Sequence, residues 1–307
     1  MAKLADSLKN FLFIIILLQI APPIIQNIIK QYTRILEPQT KVAYIPVKGI
    51  LYNSTPITTS LKKYFKDNDI KAILLKIDCP GSAAGTGEAI ANEIALLKKE
   101  YPKPILSIAE NICTSGGYYI AATTDHIISA PSTLLGSIGT TIPYQFKLDE
   151  LLKKYDIKYV PITAGDYKNA TDPFIAMTPE KQVMLESVTN SSYQNFIQHI
   201  ANNRPKLAVD TSTQWADGKI FSGLQAIDLG LVDEIGSQSN AINKIKELAV
   251  IEGDIEWVRP EQHTNMWELF LGQSNTEGAS TATPTLQQMF MQWLRHLTSV
   301  EKIENPL

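Results

Sequence analysis

The chain has 307 residues, 44% of them hydrophobic, and a formal net charge of −3. A chain of this length buries an ample core without disulfide staples, and its mixed, slightly acidic charge offers no basic footprint for nucleic acid. Its two cysteines and four histidines form no H-E-x-x-H or C-x-x-C pattern, and no G-x-x-x-x-G-K-[ST] loop occurs. Zinc and nucleotide chemistry therefore lack motif support, and no cofactor or metal is expected.

Residues 11–29 read F-L-F-I-I-I-L-L-Q-I-A-P-P-I-I-Q-N-I-I and carry no charge. They are about long enough to cross a hydrocarbon core of roughly 30 Å as a helix. Gln19, Pro22, Pro23, Gln26 and Asn27 interrupt the run, so a cleaved signal segment and an amphipathic surface helix compete with a retained anchor. The absence of a small-x-small cleavage pattern favours the anchor. Lys3 and Lys9 precede the segment and Lys30 and Arg34 follow it, so the charge bias leaves its orientation open.

Residues 41–49 predict the first strand and residues 60–68 a helix. Residues 72–85, A-I-L-L-K-I-D-C-P-G-S-A-A-G, form a strand-like run that ends in a Pro-Gly turn. A helix over 88–100, a strand over 105–108, a helix over 117–123 and a strand over 127–129 continue the alternation. This pattern predicts an α/β layered domain of repeated βα units. The longest helical pattern, Pro179–Asn203, stops before Pro205. Beyond Pro260, residues 273–284 read as a Ser/Thr/Gly/Ala-rich linker to the amphipathic stretch 286–297, and W-E-L-F-L at 267–271 is a second apolar patch. Docking on the protein itself, on a membrane or in a substrate groove all remain open for this tail. No internal repeat occurs. The chain divides into a flank at 1–10, an anchor at 11–29, one catalytic domain at 41–260 and a tail at 261–307.

The densest chemistry lies at 113–122, C-T-S-G-G-Y-Y-I-A-A. Ser115 follows an apolar strand-like run and precedes two glycines and a buried-helix pattern. Its hydroxyl would thus stand beside the free N–H groups of a helix start, where an oxyanion is stabilised. The plain alternative is a tight strand-to-helix turn. Three further segments give it context: the turn Pro80-Gly81-Ser82, the loop S-T-L-L-G-S-I-G-T at 132–140 with Ser137, and A-G-D-Y-K-N-A-T-D-P-F at 164–174 with Lys168. Read alone, Lys168 is a solvated loop lysine.

His126 follows Asp125 and offers a Ser-His-Asp alternative, yet the pair leads into a strand, where histidine is more often structural. His199, His263 and His296 lie outside any glycine-rich loop. Cys79 and Cys113 each precede one of the two turns; they read as buried apolar thiols, with pairing as the alternative.

Together these motifs resemble the signal peptide peptidase A family in its short form. The resemblance spans about 41–236 and includes the late motif G-K-I-F-S-G-L-Q-A-I-D-L-G-L-V-D-E-I-G at 218–236. It implies a fold related to the Clp protease subunit and the crotonases, and a membrane-bound serine endopeptidase on the outer side of the cytoplasmic membrane. It further implies Ser115 as nucleophile, Lys168 as general base and Ser137 as the residue that holds the lysine. The N–H groups of Gly116 and Ser82 form the oxyanion hole, supported by Gly81. The family usually has P-G-G where this chain has Pro80-Gly81-Ser82; serine supplies the same N–H if the position needs no positive φ. Lys168 must be desolvated to act as a base, because an exposed lysine with a pKa near 10.4 is a cation at neutral pH. Asp166 must face elsewhere. The implied partners are extended hydrophobic peptides such as cleaved signal peptides, lipid at the anchor, and further copies of the chain, with serine and lysine drawn from adjacent subunits. Two other functions stay open: a non-catalytic membrane-anchored scaffold of the same fold, and a crotonase acting on acyl-CoA.

Overall fold

Runs of β-branched and aliphatic residues make β1 (Thr40–Lys48), β2 (Ile70–Cys79) and β3 (Ile105–Thr114) the parallel centre of a mixed sheet. The computed structural model describes residues 39–142 and 146–260, with positions 22, 25 and 26 before them. Ala72, Ile73, Leu74, Leu75 and Ile77 are all fully buried, as expected of a parallel strand covered on both faces. β8 (Ile255–Val258) lies outside β1. The first half of β3 pairs with β4 (His126–Ser129), which pairs in turn with β7 (Glu234–Ile235). The last three residues of β3 pair instead with β5 (Leu134–Gly136), and β6 (Ile220–Ser222) closes that side antiparallel. The change of partner along β3 carries its C-terminal end, and Ser115 beyond it, away from β4.

One face of the sheet carries α1 (Thr55–Lys66), α2 (Ala84–Glu100) and α3 (Gly116–Ala122), every residue of α3 being buried. The C-terminal third of α5 (Pro179–Asn203) seals this core with Phe196, Ile197 and Ile200. The short α4 (Asp149–Lys154) precedes α5 in the chain and buries none of its residues. Between α5 and β6 lie a 3₁₀ turn (Val209–Thr211) and α6 (Ser212–Trp215), and α7 (Gly223–Leu229) follows β6. α8 (Gln238–Ala249) covers the other face, setting Ala241 and Ile245 in a cluster with Val42, Leu74, Leu106 and Ile128.

The βα alternation is present as predicted, and α5 has the bounds that its pattern gave. α1 begins at Thr55 rather than at 60, because Pro56 fits a first turn that has no N–H to satisfy and Asn53 Oδ1 accepts the Thr55 N–H at 2.9 Å. β3 runs on past 108 through Glu110 and Asn111, which are exposed where the strand changes partner. The proposed anchor at 11–29, apart from positions 22, 25 and 26, lies outside the described residues, as do 1–10 and 261–307. Among the described residues no helix is long and apolar enough to cross a membrane.

Candidate functional site

Ser115 sits between β3 and α3 at φ 51° and ψ −124°. A non-glycine residue there is strained by about 1–3 kcal/mol and stays only if its surroundings hold it. Its N–H donates to Gly136 O at 2.8 Å, and its carbonyl accepts from the Tyr119 N–H at 2.9 Å. Gly136 (φ 89°) and Ser137 (φ 48°) are also left-handed, so the segment facing the serine is tightly bent. A Cβ on Gly136 would stand 2.8 Å from the Phe221 ring and 2.9 Å from Lys219 O, which together with the positive φ demands glycine. The Ser137 N–H donates to Lys219 O at 2.7 Å, fixing the next step of the loop.

The Pro-Gly turn after β2 meets this junction directly. Thr114 Oγ1 donates to Pro80 O at 2.9 Å. The Leu51 N–H donates to Gly81 O and the Ala83 N–H to Leu51 O, forming a parallel bridge between Leu51 and Ser82. In such a bridge the N–H of Ser82 itself points the other way. A Cβ on Gly81 would lie 3.4 Å from Ser115 Cβ; one on Gly116 would lie 2.7 Å from Ser82 N and 1.9 Å from Ser82 Oγ. Gly116 is therefore required by close approach. Ser82 is not among the positive-φ residues, so it needs no glycine conformation, and its Oγ is buried without a hydrogen-bond partner.

A pocket of about 120 Å³ opens at this junction, lined by Ser82, Ala84, Gly87, Glu88, Ser115, Gly116, Tyr119, Gly139, Thr140, Thr141, Ser192 and Phe196. Tyr119 stacks on His199 with ring centroids 3.7 Å apart and packs against Phe196 at 5.0 Å. Burial, then the Glu88 charge, push the Tyr119 hydroxyl up to about 12. Asn195 Nδ2 donates to Glu88 Oε1 at 2.9 Å. His199 Nε2 lies 3.0 Å from Tyr119 O and 3.2 Å from Thr123 Oγ1, and burial lowers its pKa. The ring is tied to α3 and does not line the pocket.

Lys168 stands apart. It is exposed in the turn after Gly165 and is not among the residues lining the pocket. Among the described residues its amine meets no hydrogen-bond or ion-pair partner. Asp166 is exposed in the same turn. One chain thus brings together Ser115, Gly116, Gly81 and Ser82, with Ser137 next to the Gly136 contact, and leaves Lys168 outside.

The remaining candidates have structural surroundings. The Asp125 carboxylate accepts the Ile105 N–H and pairs with Lys98, while His126 Nε2 faces Glu234 at 3.4 Å. Cys79 and Cys113 are free, buried and in register on neighbouring strands, and burial raises both thiols above their ordinary range. Glu88, Asn195 and Ser192 were missed by the sequence reading; only the position of Glu88, just beyond the Pro-Gly turn, hinted at it. Also missed was the bidentate pair in which Arg204 donates to both Asp233 oxygens at 2.7 and 2.8 Å while Asp233 accepts the Ile127 N–H, clamping the end of α5 to β4. Among the described residues no three His, Cys, Asp or Glu side chains converge to hold a metal.

A family description, peptidase family S49, matches residues 97–252, which include Ser115, Ser137 and Lys168 but not Ser82. A relative from Methanocaldococcus jannaschii whose name assigns it to the proteases is 34% identical over 184 residues, 60% of this chain and 58% of the relative. A similarly named relative from Synechocystis is 33% identical over 215 residues, 70% of this chain and 76% of its own length. A relative from Enterococcus faecium whose name assigns it to the signal peptide peptidases is 32% identical over 196 residues, 64% of this chain and 56% of its own length. The chain thus spans little more than half of the first and third of these relatives.

Proposed function

The chain belongs to peptidase family S49, the signal peptide peptidase A family, and from that premise we propose that it is a serine peptidase whose site is completed by a second copy of itself. The observation that carries this reading is the strained Ser115, held in contact with a second turn at the mouth of a pocket. Strain of this kind exposes a nucleophile at a sharp strand-to-helix turn.

In the proposed mechanism the neutral amine of Lys168 from a neighbouring copy takes the proton of Ser115 Oγ, which forms a bond to a peptide carbonyl carbon. The oxyanion is received by the N–H groups of Gly116 and Ser82. The amine returns the proton to the leaving nitrogen as the peptide bond breaks. It then deprotonates the water that releases the acyl group and regenerates the serine. A lysine becomes such a base once packed away from water, which a covering copy would achieve.

Exposed aliphatic residues in the segment that carries Lys168 and in the helix after it support this completion. Val160 and Ile162 are 79% and 98% exposed, and Val183 and Val188 on the outer half of α5 are 64% and 56% exposed. An open cleft of about 530 Å³ runs along the first half of α5, where Ile142, Met177 and Leu185 lie among the polar Lys147, Gln182, Glu186, Thr189 and Asn190. These exposed aliphatic side chains are the surface that a second copy would cover in this reading. Extended peptides released at a membrane are the proposed substrates, and segment 11–29 the proposed tether to a cytoplasmic membrane, with the peptidase domain outside. The related Clp protease and crotonase folds remain part of this proposal.

Labelling of the purified protein with a fluorophosphonate tests the reading. Modification of Ser115, lost in Ser115→Ala and strongly slowed in Lys168→Ala, is expected. An unlabelled Ser115 in the assembled protein would favour the scaffold, and acyl-CoA binding would favour the crotonase.

A further inference from the structure

The pocket next to Ser115 is not the apolar slot that a preference for hydrophobic side chains would call for. Tyr119 and Phe196 give it two aromatic walls, but the rest is Ser, Thr, Gly and Ala apart from one carboxylate, Glu88. Glu88 is half-buried on α2 and held by the Asn195 amide through Oε1. No Lys or Arg among the described residues forms an ion pair with it. A carboxylate on a pocket wall with no cationic partner among the described residues attracts a positive group, and the attraction strengthens as a bound side chain displaces water from the pocket. Asn195 fixes the orientation of the carboxylate without neutralising it. The Tyr119 hydroxyl, raised in part by this same charge, stays protonated and leaves the wall with a single negative group.

Building on the peptidase reading above, we infer that Glu88 makes this pocket select a basic side chain, lysine or arginine, on the substrate residue that enters beside the scissile bond. Tyr119 and Phe196 pack along the aliphatic stem, and the carboxylate receives the charged end. Glu88 here is a specificity residue, with no part in moving the serine proton.

The test uses the full-length protein in its assembled form and two peptide sets identical except at one residue, which is Lys, Gln, Leu or Glu. Binding to Ser115→Ala, read by fluorescence anisotropy, needs no turnover, so it judges the pocket even if the peptidase reading fails. The Lys peptide is expected to bind about tenfold or more tighter than the Leu peptide. In the Glu88→Gln background that ratio falls towards one, and in Glu88→Lys the Glu peptide becomes the better ligand. With wild-type Ser115, kcat/KM should show the same ratios. Equal binding of Lys and Leu peptides to Ser115→Ala would overturn the inference. So would a Glu88→Gln effect of equal size on all four peptides, because that would place Glu88 against the neighbouring copy's lysine or in the support of α2.

Discussion

The face of the sheet under α1, α2 and α3 and the segment from 146 to 192 are built on opposite plans. In the first, apolar residues are sealed by their own chain: Leu61, Phe65, Ile90, Ile94 and Tyr118 are all almost wholly buried. In the second, α4 buries nothing and α5 exposes valines along its outer half. The candidate nucleophile stands on the finished part and the candidate base on the unfinished part. What separates them is burial: the first closes its apolar residues within one chain, and the second leaves aliphatic side chains on its surface.

The largest expected effect breaks the second region alone. Val183→Glu combined with Val188→Glu should dissociate assemblies and lower peptide hydrolysis at least a hundredfold. Protomer stability should move by only about 0.5 kcal/mol, as for surface changes; sedimentation, thermal melting and turnover of the same sample check all three. The finished region is tested at the Arg204–Asp233 clamp. Asp233→Ala leaves a buried guanidinium unpaired and should cost about 3–5 kcal/mol in denaturant unfolding. Gly116→Ala should cost about 1–3 kcal/mol, because its Cβ has no room against Ser82, and should abolish fluorophosphonate labelling with it. Ser82→Gly removes a buried hydroxyl without a partner but adds glycine entropy; these offset each other to within about 1 kcal/mol, and labelling should persist.

The smallest effect is one of pH. Burial lowers the pKa of His199, so the unfolded chain takes up a proton more readily than the folded one. The stability from the neutral ring is complete above the unfolded value of about 6.5 and declines as pH falls below it. Melting temperature should drop between pH 7.5 and 5.5, and the drop should shrink in His199→Gln.

Much of the finished region was legible in the sequence. The strand run into Cys79, the turn Pro80-Gly81 and the junction at Ser115 depend on local patterns of apolar and small residues, and the structure joins them side by side. The absence of a glycine requirement at Ser82 was not legible, because φ follows from the bridge to Leu51, about thirty residues away. Glu88 and Asn195 escaped notice because helical side chains meet in a pocket through packing rather than through spacing. Lys168 was legible only by resemblance; its local sequence gives a solvated turn, and that is what the single chain shows.

Subunit complementation tests most directly whether one copy supplies the serine and another the base. Ser115→Ala and Lys168→Ala proteins, each inactive alone, are unfolded or dissociated together, reassembled at equal amounts and assayed with a fluorogenic peptide. Recovery to about a quarter of the wild-type rate is expected, because in a closed ring of randomly mixed copies that share of interfaces pairs an intact serine with an intact lysine. Mixed assemblies that form but stay inactive would contradict the account and place both groups of a working site in one chain.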